Sequence, residues 1–197
     1  MEVALSLISA YLLGSLTPGL WLARWQGIDI RQKGSGNIGS TNVYRVMGFW
    51  AGLLVQVIDI GKGMLAILLG KSLRLSEPAL YGAATAAVLG HIYPIFARFK
   101  GGKGINTLLG TMVIIEPLSA VAATGTFLLV LALTQIVSVS SLIAVGSFLL
   151  WHGIVGEDTS WGYLTGTVWW VGVIYTHREN LGRLWKGEEL QIGQKLP

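Results

Sequence analysis

"INTLLGTMVIIEPLSAVAATGTFLLVLALT", residues 105–134, reads either as one apolar segment or as two, and the choice sets the fold. Glu116-Pro117 falls inside it. Proline has no backbone N–H and disrupts a helix interior, so the stretch divides into 105–115 and 117–134. The first piece has 11 residues, about 16 Å of helix at roughly 1.5 Å per residue. A bilayer core is about 30 Å thick, so this piece is expected as a short, partly inserted helix beside a polar cavity.

The rest of the chain is equally apolar. It has 197 residues, 52% hydrophobic and 12% charged, with mean hydropathy +0.61; soluble domains carry about 25% charge. This composition marks a single membrane-embedded domain over 1–197 and leaves little chain for a soluble one. Further apolar segments lie at 3–23, 46–69, 79–97, 137–152 and 161–176. The expected fold is an all-α polytopic integral membrane protein of about seven transmembrane helices, one or two of them short. "MEVALSLISAYLLG" carries Glu2 and no basic run, and reads as a retained first span rather than a cleaved signal. The absence of cysteine excludes disulfide and thiol chemistry.

Charge gives the orientation. Arg24, Arg31, Lys33 and Arg45 flank the first long loop, Arg98, Lys100 and Lys103 follow the third segment, and Arg178, Arg183, Lys186 and Lys195 lie in the tail; together they are 11 of the 14 basic residues. The positive-inside rule places all three clusters in the cytoplasm. They share a side only when the span count is odd, which again favours dividing 105–134. The N-terminus is then outside and the C-terminus cytoplasmic. Trp21, Trp25, Trp50, Trp151, Trp161 and Trp185 lie near span ends, as interfacial rings do, while Trp169 and Trp170 lie within a span.

Three polar segments carry the chemistry. "GSGNIGSTNVYR", 34–45, contains G-x-G-x-x-G, but membrane helices flank it where a dinucleotide site needs a βαβ unit. What remains is a loop rich in hydroxyls, amides and glycine N–H groups, with Arg45 behind it, able to nest a phosphate. Thr41 or Asn42 is also expected to cap the following span. "GHIYPIFARFKGGKGINT", 90–107, is not a Walker A loop, since Ala97 stands at its first glycine position. Its G-G-K-G turn opening onto a helix still offers N–H groups and a positive dipole end; the alternative is a flexible positive-inside loop. "THRENLGRLWKGEE", 176–189, leaves the last span, with His177 and Asn180 on one helical face; the alternative is an interfacial anchor. Asp59 and Lys62, three apart in the second span, form either a structural ion pair or a direct substrate contact. Ser138 and Ser141 share a face and either line a cavity or pack helices. His91, His152 and His177 show no metal-ligand spacing, and no metal or cofactor is expected.

Together "SGNIGSTNVYR", "GHIYPIFARFKGGKGINT" and "HRENLGRLWKGEE", in that order, resemble the bacterial acyl-phosphate:glycerol-3-phosphate acyltransferase family. The three motifs cover about a fifth of the chain. One departure is Asn106, where that family usually has a small apolar residue. The resemblance implies a multi-pass enzyme of the bacterial inner membrane, with its active site facing the cytoplasm. It would move a fatty acyl group from acyl phosphate to the 1-hydroxyl of glycerol 3-phosphate, giving lysophosphatidic acid and phosphate. By motif position it assigns catalytic roles to Ser35, Arg45, Lys103, His177 and Asn180. It also places the glycine-rich substrate loop on Gly101, Gly102, Lys103 and Gly104; the residues themselves add Gly36, Asn37, Thr41 and Asn42 of the first polar loop and Ser141 on its helix face as expected substrate contacts. The implied partners are the two small-molecule substrates, membrane lipid and an enzyme that produces acyl phosphate; no nucleic acid is implied. Both substrates carry phosphate, which suits basic glycine-rich loops on one side. His177 either takes the hydroxyl proton or orients substrate while the donor phosphate takes it. The competing class is a membrane carrier or exporter of an organic phosphate. A carrier needs polar residues along the whole path, whereas these motifs collect on one side.

Overall fold

The computed structural model describes residues 1–156, 160–192 and 194, and these are helical throughout, with short connections. The chain divides into two compact units, Met1–Ile114 and Ile115–Gln194. Lys195, counted above among the tail cations, lies outside the described residues.

The first unit opens with α1 (Glu2–Gly14) and α2 (Pro18–Trp25), so the first apolar segment is two helices rather than one. Pro18 starts α2 and has no N–H to continue α1. The break exposes the Leu16 carbonyl, which accepts the Lys62 ammonium at 2.7 Å. α3 (Ser40–Met47) is short, and α4 (Phe49–Ser72) is the long second span. The expectation that Thr41 or Asn42 caps that span is wrong. Both lie inside α3, whose N-cap is Gly39, and α4 begins after Gly48. Gly48, at φ 89°, turns the chain between two helices where one span start was expected. α5 (Glu77–Ile92) stops before Pro94, and a 3-10 turn, Ile95–Ala97, completes the third apolar segment. α6 (Ile105–Ile115) has the bounds expected of the short helix.

α1 packs against α4 and α5. Gly14 of α1 lies so close to Ala87 of α5 that a methyl group would overlap its backbone, and Gly110 of α6 lies equally close to Ile60 of α4. Small residues permit such approach where lipid offers no hydrophobic driving force. Asp59 and Lys62 pair at 2.8 Å, with side chains 2% and 3% exposed. A charged pair needs this compensation inside a membrane.

In the second unit, α7 (Pro117–Thr134), α8 (Val137–Val155) and α9 (Ser160–Thr176) pack in sequence, and α10 (Arg178–Trp185) follows. Glu116 precedes α7 and its Oε2 lies 2.7 Å from His152 Nδ1 of α8 and accepts Ser119 Oγ at 3.0 Å. Gly162 of α9 lies so close to the His152 ring that a methyl group there would overlap it. Thus the Glu116-Pro117 break also supplies the buried partner of a histidine, a pairing that sequence spacing did not reveal.

Among the described residues five segments are long and apolar enough to cross a membrane: Glu2–Trp25, Phe49–Ser72, Glu77–Ala97, Pro117–Thr134 and Val137–Val155. Trp25, Trp50 and Trp185 are 78–94% exposed near helix ends, whereas Trp169 is buried.

Candidate active site

In the first unit the loop from Asp29 to Gly39 is folded around one side chain. Asn42, 1% exposed, donates from Nδ2 to the carbonyls of Ile30, Lys33 and Asn37 at 3.3, 3.0 and 2.8 Å. Its Oδ1 accepts the Ser35 amide at 2.8 Å. Asn42 was expected as a substrate contact; its amide is instead engaged by the loop backbone. Asn37 Oδ1 accepts the Gly39 amide at 2.8 Å, an Asx-type turn. Gly36 sits at φ 71°, in the left-handed region that favours glycine. Ser35 is thereby held half-buried on the loop. Thr41 and Arg45 lie one turn apart on α3 and share a face.

The second loop turns back on the end of α5. Arg98 and Phe99 both take left-handed conformations, φ 56° and 58°, reversing the chain after the 3-10 turn. The Gly101 amide then donates to the Ile92 carbonyl at 3.0 Å and the Gly102 amide to the His91 carbonyl at 3.1 Å. Lys103 is half-buried and Gly104 directly precedes α6, its carbonyl accepting the Leu108 amide at 2.8 Å.

Two side chains tie the loops together. Arg31 Nη2 donates to the carbonyls of Ala97 and Lys100, at 3.1 and 2.6 Å. Asn106 Nδ2 donates to Ser40 Oγ at 2.9 Å. Ser35, Gly36, Asn37, Thr41, Asn42 and Arg45 therefore stand on one side of this junction, and Gly101, Gly102, Lys103 and Gly104 on the other. Sequence reading counted Arg31 only as a positive-inside charge. For Asn106 the signal was visible, a lone amide at the head of an apolar helix. The junction ties together segments that bear Arg31, Arg45 and Lys103, two glycine-rich turns and the N-terminus of α6, residue types that can hold a phosphate.

In the second unit His177 and Asn180 are 2% and 6% exposed. His177 Nδ1 lies 2.8 Å from the Val173 carbonyl. A carbonyl only accepts, so Nδ1 carries a proton. Asn180 Nδ2, Ser138 Oγ at 2.8 Å and Arg183 Nε at 2.7 Å all donate to Glu189. Burial alone would raise the Glu189 carboxyl; these hydrogen bonds, with the Arg183 charge, outweigh it and hold the carboxyl below its ordinary range. Ser141 Oγ donates to the Val137 carbonyl at 2.9 Å, so its hydroxyl proton is used within α8. Sequence reading overlooked Glu189, because nothing in the spacing announces that the tail folds back. The Ile192 amide pins that tail to the Gln135 carbonyl at 2.7 Å. Among the described residues no group of three or more His, Asp and Glu side chains could hold a metal.

Comparison with known proteins bears on what these residues serve. A family profile described as glycerol-3-phosphate acyltransferase matches residues 4–187. A glycerol-3-phosphate acyltransferase of Thermus thermophilus is 40% identical over 192 residues, covering 97% of this chain and 96% of its own. One of Geobacter sulfurreducens is 42% identical over 180 residues, covering 91% and 92%. Two crystal structures of PlsY (YgiH), an integral membrane glycerol 3-phosphate acyltransferase, are each 36% identical over 98% of this chain and 96% of theirs. The glycerol 3-phosphate form aligns with a TM-score of 0.93 and the lysophosphatidic acid form with 0.90.

Proposed function

The chain belongs to the glycerol-3-phosphate acyltransferase family, and from that premise we propose how its residues serve the reaction. The protein is an integral membrane enzyme that acylates glycerol 3-phosphate. The acyl donor is acyl phosphate, supplied by a separate acyl-phosphate-producing enzyme. The hydroxyl oxygen at carbon 1 attacks the acyl carbonyl carbon, the bond from that carbon to the phosphate oxygen breaks, and lysophosphatidic acid and phosphate leave. The mixed anhydride is already activated, so positioning and charge stabilisation do most of the work.

The observation that carries this assignment is the junction of the two loops in the first unit, closed by Arg31 on the carbonyls of Ala97 and Lys100. It holds Ser35, Arg45 and Lys103 on neighbouring segments. Arg45 and Lys103 neutralise substrate phosphate, Lys103 as a point charge and Arg45 as a planar fork. Ser35, Gly36, Asn37, Thr41 and the Gly101–Gly104 turn contact substrate, and Asn42 acts by holding Ser35 in place.

His177 and Asn180 orient the reacting groups, and the donor phosphate takes the hydroxyl proton. What supports this choice over a His177 base is the group behind the ring. Nδ1 is backed by a backbone carbonyl, which stabilises an imidazolium less than a carboxylate would.

The whole chain serves one activity, with seven spans in a bacterial inner membrane, the N-terminus outside and the basic loops in the cytoplasm. α6 and α9 complete that count beside the five longer segments. The decisive experiment mixes purified protein with acyl phosphate and glycerol 3-phosphate. Acylated glycerol 3-phosphate and one equivalent of phosphate are expected; acylation of glycerol 3-phosphate by acyl-CoA with none from acyl phosphate would overturn the donor assignment.

A further inference from the structure

Beneath the Gly101–Gly104 turn lies a buried polar chain that the reaction as proposed does not use. Asp59 and Lys62 of α4 pair at 2.8 Å, and Lys62 Nζ reaches His91 Nδ1 of α5 at 2.9 Å. Thr107 Oγ1 of α6 lies 3.2 Å from the same nitrogen, and Asp59 Oδ1 lies 3.5 Å from it. An ammonium only donates, so Nδ1 accepts and the ring proton rests on Nε2. That fixes which edge of the imidazole faces which neighbour. The Nδ1 edge faces the charge pair, and the Nε2 edge faces Gly102.

The contact with Gly102 is close. A methyl group at that position would overlap Nε2 of His91, and one at Gly101 would overlap the carbonyls of His91 and Ile92. The same His91 carbonyl accepts the Gly102 amide at 3.1 Å. Both the side chain and the backbone of His91 thus form the floor on which the turn rests. Gly102 has no positive φ, so backbone conformation does not explain why glycine stands there.

We propose that His91, locked by Lys62 and Asp59, is a positioning residue for the phosphate-holding turn, and that Gly102 is glycine because the His91 ring occupies the space of its side chain. The inference rests on the functional reading above for the identity of the ligand, and not for the steric relation itself. Its consequence is directional. Gly102→Ala acts by lifting the turn off its floor, so a change in the floor relieves it.

Asparagine at position 91 places an amide oxygen near the present Nδ1, where it still accepts from Lys62, and vacates the Nε2 region. Glutamine keeps atoms near Nε2. The test is a pair of double-mutant cycles in full-length purified protein, Gly102→Ala with His91→Asn and Gly102→Ala with His91→Gln. They are read by KM for glycerol 3-phosphate, by kcat and by thermal stability. Gly102→Ala alone should raise that KM about tenfold or more with a smaller change in kcat, as expected for lost substrate binding. Adding His91→Asn should recover most of the loss in both KM and thermal stability; adding His91→Gln should not. Effects of Gly102→Ala and His91→Asn that simply multiply in KM and add in stability would overturn the proposal, and so would equal recovery by both replacements. Should the alanine variant not fold, amide exchange decides. Residues 99–104 should exchange faster in the single variant His91→Asn than in the wild type, and unchanged exchange would overturn the inference. Thermal stability and exchange need no turnover. A wild-type protein that transfers no acyl group would overturn the functional reading and leave the steric claim to be judged on those two measurements.

Discussion

Replacing Asn42 by alanine removes the side chain around which the Asp29–Gly39 loop is folded. Four hydrogen bonds disappear, one from Nδ2 to each of Ile30, Lys33 and Asn37 and one from the Ser35 amide. The Ile30 bond is long at 3.3 Å, so three are counted. At about 1 kcal/mol net each, the folded loop loses roughly 3 kcal/mol. A factor of ten corresponds to about 1.4 kcal/mol, so the equilibrium between closed and open loop shifts on the order of a hundredfold. The effect on KM depends on how far the closed loop is favoured in the wild type. KM for glycerol 3-phosphate should therefore rise by up to about a hundredfold, limited by that reserve. Asn42→Asp should be worse, since it turns a carboxylate on three carbonyl oxygens in a buried position. The assay is steady-state kinetics at saturating acyl phosphate, with the thermal inactivation half-life as a control for global damage. A KM within about twofold of wild type and an unchanged half-life in Asn42→Ala would refute the view that this amide holds the loop.

Arg45→Ala and Lys103→Ala should each lower kcat/KM for glycerol 3-phosphate, and Arg45→Lys should recover only part because the planar fork is lost; wild-type kinetics in both folded alanine variants would remove the phosphate assignment. Single cysteines replacing Lys33, Lys100, Ile136 and Leu190 should label from the cytoplasmic side, and those replacing Glu2 and Leu75 from the other; position 157, the other outer site expected from sequence, lies outside the described residues. Labelling at 190 from outside contradicts the odd span count. His177→Asn or His177→Gln should retain more activity than His177→Ala when the donor phosphate takes the proton, whereas equal inactivity of all three, with donor binding intact, identifies His177 as the base. The Glu189 carboxyl is depressed in the folded protein, so its stabilising contribution is complete above the ordinary carboxylate pKa of about 4.3 and is lost as pH falls through the lower folded value. Glu189→Gln should accordingly shorten the thermal half-life at neutral pH, with the difference from wild type shrinking in acid; a difference that does not change with pH speaks against this.

The long apolar elements were legible because proline and hydropathy act locally. Glu116-Pro117 separates α6 from α7 at the position its sequence announces, and α7 keeps the expected bounds. The break between α1 and α2 was missed, although Pro18 causes it by the same chemistry, because the flanking apolar run conceals it. At the candidate site, residue types announced phosphate chemistry but not the division of labour. Asn42 and Asn37 look alike in sequence, yet only the closure of the loop, over 5 to 12 residues, engages all of Asn42's amide. Arg31 and Glu189 were illegible for a related reason. Each acts on groups brought near by chain reversal: Arg31 on carbonyls 66 and 69 residues away and Glu189 on a serine 51 residues away.

The partners of Lys62 also impose an order on biosynthesis. Asp59 lies one helical turn away on α4, so the two charges form a neutral pair before any later segment exists. The Leu16 carbonyl, already translated, is the next to engage the ammonium once α4 meets the broken first apolar segment. His91 arrives only with the end of α5. A chain that ends before residue 91 therefore carries two of the three groups that meet the Lys62 ammonium in the folded protein. The last one is delivered by the same stretch of messenger that encodes the floor of the glycine turn.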